Sequence, residues 1–458
     1  MTRAAAGMAL GLLGRAPPAW AAPKSTTFSL EAGRMAAGRS GPLRAPARFD
    51  LVGFAWAGPR ALHGEVRVRR DGHAWTPWVA LPSAGHGRDG QPPDAGVSDP
   101  LWVGGADALE LRLSEPVHRL RLHFVNSTAT ATPAERRRSA LRRALAHDAR
   151  LPAVRPAPGA PPIVPRSAWE GRTGTPSAPP LFGEVSLAVV HHTESLNAYG
   201  PGDSPAMVLA IARYHRDVRH WDDIGYNFVV DRYGQIFEGR AGGVLEAVAG
   251  AHAGGFNQSS TGAAVLGSFT GAPPTAAATR ALARLLAWKL TYHGAPTAGR
   301  VPVPDRGTRA DKYRPGQTVR LPRIAGHRDL NATECPGRAL YRQLPALRRL
   351  VGRLARTQPR ARGPAPALAV AAGAVRPGEP LGLFGAAGGV ADPLVLLVER
   401  QTRFGYERTP AAVALASDRT FATAITLPRT GAYRLSVRGG DSRGLPLASA
   451  AVYVTCRV

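Results

Sequence analysis

The periodicity of apolar residues changes twice along this chain, and that change constrains its fold more than any other feature. Between about 27 and 126 the pattern alternates with period two. Val66 and Val68 flank Arg67, Leu109, Leu111 and Leu113 share one face, and Leu120, Leu122 and Phe124 share another. Alternation of this kind marks half-buried strands, and Gly, Pro and Asp punctuate the runs as turns do in an all-β sandwich. From about 163 to 355 the pattern is mixed. Short apolar runs at Val185–Val190, Tyr226–Val230 and Ala263–Leu266 read as strands. Ser204-Pro205 ahead of Ala206–Val218, and Pro274-Thr275 ahead of Ala276–Tyr292, read as helix starts. A last helix is expected near Ala339–Leu350. Strands separated by helices predict an α/β layer architecture with a mixed sheet. Beyond about 367 alternation returns, in Tyr433–Val437 and Val452–Cys456. The expected fold is therefore multidomain, a central α/β domain flanked by N-terminal and C-terminal all-β sandwich-like domains.

The joints between these regions are also legible. Thr132-Pro133-Ala134-Glu135 offers an N-cap, a first-turn proline and an acidic third position for a basic helix running to about Asp148. Pro152 to Pro165 reads as a stiff extended spacer, as does Arg360 to Pro366. The expected divisions are thus 27–130 all-β, 131–162 basic helix and Pro-rich linker, 163–355 the α/β domain, 356–366 a second linker, and 367–458 a small β-sandwich. Residues 1–22 resemble a secretory signal: Arg3 supplies charge, Ala4 to Leu13 an apolar run, and Ala19-Trp20-Ala21 a cleavage site, although Arg15 and Pro17-Pro18 depart from the pattern. A secreted, extracellular location is expected. No later window is long and apolar enough to span a bilayer.

Composition narrows the partners. The formal net charge is +26, and 58 Lys and Arg face only 32 Asp and Glu. Three of those cations are lysines, a bias expected of a GC-rich genome. A net positive charge also favours polyanions in general, anionic wall polymers among them. The arginines are dispersed and no nucleic-acid recognition motif is present, so nucleic acid is not the expected partner. Trp56, Trp75, Trp78 and Trp102 belong to the first β region, where core burial is the commoner fate and sugar stacking the functional alternative.

Chemistry concentrates in the central region. Val185–Val190 runs into His191-His192, and neighbouring strand residues point to opposite faces, so only one of the pair can serve a given site. Both faces are apolar, and periodicity does not choose between them. Further on, Gly326-His-Arg-Asp-Leu-Asn-Ala-Thr-Glu-Cys-Pro-Gly337 places His327 and Cys335 on one turn-rich stretch. Two imidazoles and a thiolate would give zinc three protein ligands, as in catalytic sites. A buried thiol beside an unrelated histidine is the alternative. Cys456 shares a face with Val452 and Val454 and is expected in a core.

Six ordered blocks carry a resemblance: Arg166-Ser-Ala-Trp169, Val189-Val-His-His-Thr193, Trp221–Phe228, Gly234–Arg240, Gly250-Ala-His-Ala-Gly-Gly-Phe-Asn257, and Gly326–Gly337. Together they resemble peptidoglycan recognition proteins and type-2 N-acetylmuramoyl-L-alanine amidases, with looser likeness to secreted actinobacterial members in the outer domains. The resemblance implies Zn2+ held by His191, His327 and Cys335, a catalytic tyrosine at Tyr226, and Thr333 at a position that some relatives fill with lysine. Trp221, His252 and Asn257 resemble substrate-cleft positions, and His215 is expected to be structural. The implied activity is cleavage of the amide between N-acetylmuramic acid and L-alanine in peptidoglycan. A non-catalytic peptidoglycan-binding module with zinc is the alternative. The Arg/Pro-rich stretch from Ala295 to Pro322 interrupts the usual spacing.

Overall fold

The computed structural model describes residues 26–58, 62–70, 73–81, 96–130, 151–171, 175–307 and 312–458. The expected signal at 1–22 and the basic helix expected at 133–148 lie outside the described residues.

The N-terminal alternation folds as predicted at the level of strands: β1 Thr26–Met35, β2 Gly38–Arg39, β3 Leu43–Ala57, β4 Gly64–Arg69, β5 Val79–Ala80, β6 Leu101–Leu113 and β7 Val117–Asn126. They join into one antiparallel sheet in the order β1-β7-β3-β6-β4-β5, with β2 beside β6. Alternation reports which side of a strand is buried, not how strands are shared between sheets. The long β3 carries register shifts between Arg44 and Phe49 and between Phe49 and Leu51. Such irregularities bend a sheet and raise its twist. Trp56 and Trp102 are buried. Trp75 and Trp78 are half-buried instead, interleaved with arginine side chains.

The central sheet contains β8 Leu187–His192, β9 Phe228–Val230, β10 Ile236–Glu238, β11 Ser260–Val265 and, after a separate hairpin, β14 Ile324–Gly326. Its order is β10-β9-β11-β8-β14. The pairs β11·β8, β11·β9 and β14·β8 are parallel, and β10·β9 is antiparallel, so the sheet is mixed. Helices α2 Ala276–Tyr292 and α4 Arg338–Arg356 cover one face, sharing a core with Ala188, Val190, Val230, Val265 and Ile324. Helix α1 Ser204–Asp217 covers the other, against Val229 and Ala264. Thr275 caps α2, its hydroxyl accepting from the Ala278 amide at 3.1 Å. The Arg/Pro-rich stretch forms the two-stranded hairpin β12 Arg300–Pro304 and β13 Thr318–Pro322.

The segment from Pro152 to Pro165 is not a stiff extended spacer. Val154 and Ile163 exchange backbone hydrogen bonds at 2.9 and 2.8 Å, and Ala160 and Ile163 enter the central core. Its prolines sit beside the turn, where they preset bend geometry rather than hold the chain straight. The C-terminal region forms a three-stranded and a six-stranded sheet that contribute to one apolar cluster, Cys456 included. Among the described residues, no helix is long and apolar enough to cross a membrane.

Candidate metal centre

Side-chain alternation along β8 decides which histidine faces the candidate centre. Leu187 and Val189 share a face with His191, whereas Ala188 and Val190 share the opposite face with His192. The latter face belongs to the core under α2 and α4. His192 accordingly packs toward Phe269, whose amide donates to its Nδ1 at 3.3 Å. His191 points the other way. Since β14 runs parallel to β8 with Gly326 opposite Val190, the next residue, His327, emerges beside His191. His327 opens the short helix α3 His327–Leu330, and the chain then turns to bring Cys335 back. The Arg328 amide donates to the Cys335 carbonyl at 2.9 Å, and closes that turn.

The three ligand atoms of His191, His327 and Cys335 lie within 4.8 Å of one another, all buried. Cys335 Sγ is 3.7 Å from His191 Nδ1, and the two imidazole rings are 4.6 Å apart. With metal bonds of about 2.0–2.3 Å, tetrahedral ligands stand roughly 3.5 Å from each other, so the observed spacing is close to a zinc shell. The outer contacts agree with that chemistry. Asn331 directs Nδ2 to the Gly254 carbonyl at 2.9 Å, which turns its Oδ1 toward His327 Nε2 at 3.2 Å. An amide oxygen only accepts, so Nε2 carries the proton and Nδ1 is the basic nitrogen. Behind His191, Nε2 stands 3.1 Å from His252 Nδ1. Such outer partners fix ring orientation and tautomer in metal sites. Burial pushes the Cys335 thiol well above its ordinary pKa, partly offset by the His192 amide donating to Sγ at 3.4 Å. A cation is what a buried thiolate here calls for. The donor set fits zinc.

Tyr226 precedes β9, its ring 5.4 Å from that of His191. Burial, followed by the carboxylate of Asp99, pushes its phenol well above the usual range, so the hydroxyl keeps its proton. Thr333 braces the ligand loop, its Oγ1 accepting the Cys335 amide at 3.2 Å. Asn257 is buried and accepts the amides of His252 and Ala253 at 2.8 and 3.0 Å, tying that turn. His252 is also fully buried. Gly250 and Gly262 leave no room for a Cβ beside its ring, which explains the small residues around it. Trp221 is buried against His215, ring centroids 4.5 Å apart, and His215 accepts the Gly225 amide at 3.1 Å. All three expected cleft residues are thus buried rather than on an open surface.

Sequence reasoning passed over Asn331 and the pair Asp99–Arg219. Asn331 follows His327 by four positions, the spacing that stacks side chains on one helical face. Nothing in the local pattern around Asp99 marks it, because its partner Arg219 lies 3.5 Å away in another part of the chain.

Comparison with known proteins gives two family matches. Residues 181–338 match the family described as N-acetylmuramoyl-L-alanine amidase, and residues 17–141 match one described as Rv3811 N-terminal galactose-binding domain-like. The chain is 31% identical over 182 residues to Peptidoglycan-recognition protein SC2 of Drosophila simulans, covering 40% of this chain and 84% of that protein. It is 32% identical over 193 residues to N-acetylmuramoyl-L-alanine amidase of Mus musculus, covering 41% of this chain and 31% of that one. The chain therefore spans less than a third of the mouse relative's length. Among solved structures, peptidoglycan recognition protein-LE in complex with tracheal cytotoxin aligns at 28% identity and a TM-score of 0.32, over 40% of this chain and 92% of that one.

Proposed function

Because this chain belongs to the family of peptidoglycan recognition proteins and N-acetylmuramoyl-L-alanine amidases, we propose that it is a zinc-dependent amidase acting on peptidoglycan outside the cell. The bond broken is the amide between the lactyl group of N-acetylmuramic acid and the L-alanine of the stem peptide. The observation that carries this reading is the convergence of His191, near the end of β8, with His327 and Cys335, from the stretch after β14, within 4.8 Å.

In this reading those three residues hold the ion, while Asn331 and His252 hold the two rings in register. A zinc held there would supply Lewis acidity toward the scissile carbonyl and toward a water. Tyr226 donates its hydroxyl proton in a hydrogen bond to the oxyanion that develops as the carbonyl becomes tetrahedral. Its raised pKa keeps that donor available at neutral pH. Thr333 acts through Cys335 by bracing the ligand loop. Trp221, His252 and Asn257 shape the cleft from behind, Asn257 by fixing the turn that presents His252. Replacing Tyr226 by Phe is expected to slow turnover by about 10²–10³-fold while zinc stays bound.

The test combines metal analysis of the purified chain with digestion of isolated cell wall. Expected results are one zinc per chain, free stem peptide in the supernatant, loss of release with a chelator and recovery when zinc is restored. His327→Ala should abolish both zinc and release, whereas His192→Ala should retain zinc. A chain that holds zinc yet frees no peptide would be a binding module instead.

A further inference from the structure

Carboxylates answer most of the arginines in the outer sheets. Arg39 and Arg67 share Glu110, Arg112 faces Glu65, Arg400 faces Glu407, and Arg408 joins Glu246 and Glu399. Helices α2 and α4 break that habit, since neither contains a single Asp or Glu. On α4 the exposed residues include Arg338, Arg342, Arg349, Arg353 and Arg356. None of the five forms an ion pair among the described residues. Arginine bias in the sequence accounts for how many guanidinium groups there are. It does not account for the absence of acids from this one face.

The spacing gives the face a shape. Steps of four, seven, four and three residues return to the same side of a helix with 3.6 residues per turn, so the five arginines form one line about 27 Å long. Leu340, Leu344, Leu347, Val351 and Ala355 occupy the opposite side and are buried in the central core. Those apolar residues are committed, so α4 has none left to insert into a lipid layer. What faces outward is mainly charge, with the exposed Pro345 and Ala346 between the arginines. The neighbouring α2 adds exposed Arg280 and Arg284. Helix α4 also begins three residues after Cys335, so the line starts beside the candidate centre and leads away from it.

We infer that this arginine line is a docking surface for a linear phosphodiester polymer of the bacterial wall, lying along α4 and holding the centre against its substrate; the inference rests on the wall-amidase reading. Guanidinium groups grip phosphate oxygens in a two-pronged geometry that lysine does not match. A single-stranded nucleic acid would also bring phosphates, but its binders pair a groove with aromatic stacking platforms, and the α4 line presents neither.

The experiment uses the full chain and purified cell walls, either intact or stripped of phosphodiester polymer by cold hydrofluoric acid. Co-sedimentation should be strong with intact walls, weaken steeply with added salt, and fall by roughly tenfold or more with stripped walls. The variant R342E/R349E/R353E should lose binding to intact walls to the same extent. Its release of peptide from a small soluble muropeptide should stay within about twofold of the parent, a readout that long-range steering of a polymer does not touch. Equal binding to stripped and intact walls, undiminished binding by the variant, or preferential capture of single-stranded DNA over intact wall would overturn the inference. Failure of both proteins to cleave the soluble muropeptide would sink the amidase reading, and the sedimentation result would still stand apart from it.

Discussion

Asn331 bridges His327 and the Gly254 carbonyl, and this one side chain decides which imidazole nitrogen of His327 is basic. Truncating it to alanine frees the ring to rotate and to change tautomer. Zinc affinity in Asn331→Ala is expected to fall about 10–100-fold, read by competition with a chromophoric chelator, while the unfolding midpoint of the metal-free chain changes little. A second single-residue effect concerns Lys289, which is buried under Phe228 and Trp288 and donates to the carbonyls of Val244 and Glu246 at 2.7 and 2.8 Å. Burial lowers its pKa to about 7, against a partial opposing pull from Glu246. A neutral amine still has two hydrogens for those two carbonyls. Between pH 7 and about 10 the unfolded chain holds a proton that the folded chain has released, so stability rises with pH through this window. The gain from pH 7 to pH 9 should be about 2 kcal/mol, and Lys289→Met should remove that slope in urea titrations at the two pH values. The motifs at His191, His327, Cys335 and Tyr226 were legible in the sequence. Periodicity left His191 and His192 open and the resemblance implied His191; strand parity relative to α2 and α4 supplies the physical reason, and the parts played by Asn331 and Lys289 needed contacts that no local spacing encodes.

At the scale of elements, register converts alternation into specific partners. Strand β4 lies against β6 with Arg67 opposite Glu110, Glu65 opposite Arg112 and Arg69 opposite Ala108. The outward arginines then interleave with two tryptophans. Arg69 lies 5.5 Å from Trp75, Arg67 lies 5.0 Å from Trp75 and 4.8 Å from Trp78, and Arg112 lies 4.5 Å from Trp78. Guanidinium groups thus pack on both tryptophans, an arrangement that takes up ring surface a sugar would need. Arg67 is the middle rung and also pairs with Glu110, whose side chain is only 4% exposed. Arg67→Ala should therefore cost about 2–3 kcal/mol, two stacking contacts plus a poorly answered buried carboxylate. Arg69→Ala removes one stacking contact and a half-exposed ion pair with Asp107, and should cost only about 0.5–1 kcal/mol. Denaturant unfolding followed by tryptophan fluorescence measures both, and equal losses would mean that the ladder adds nothing beyond surface polarity. Alternation of Val66 and Val68 announced the strand, but it left the outward residues unread, because their partners come from β2, β6 and the segment after β4.

Across the whole molecule, the central unit has no free-standing boundary. Leu51, Trp102 and Val125 of the N-terminal sheet share one core with Met207, Val208, Ile211 and Tyr214 of α1. Tyr214 donates to the Ser98 carbonyl at 2.9 Å, and its ring lies so close to Gly53 that a Cβ there would collide with it. On the other side, Phe182 and Tyr406 exchange backbone hydrogen bonds, and Arg434 joins Glu399 to Glu184. A fragment of residues 163–355 would expose both surfaces, so excision tests solubility before it tests chemistry. Asp99 and Arg219 offer a cleaner probe. Their side chains are 5% and 1% exposed, and Arg219 lies over Trp221 at 4.7 Å, which packs on His215 near Tyr226. Removing only the carboxylate deprives a buried cation of this ion pair, so Asp99→Ala should destabilise the chain by up to about 3–5 kcal/mol. Asp99→Ala with Arg219→Met removes both charges and should recover most of that loss, because the desolvation cost disappears with them. If the ion pair is what seats the N-terminal sheet on α1, then on the proposed amidase reading the single variant should also lose rate through Trp221 and His215, and the double variant should regain stability sooner than rate. Full recovery of both together would assign Asp99 to stability alone, and no loss in the single variant would show that apolar contacts around Tyr214 suffice to join the two units.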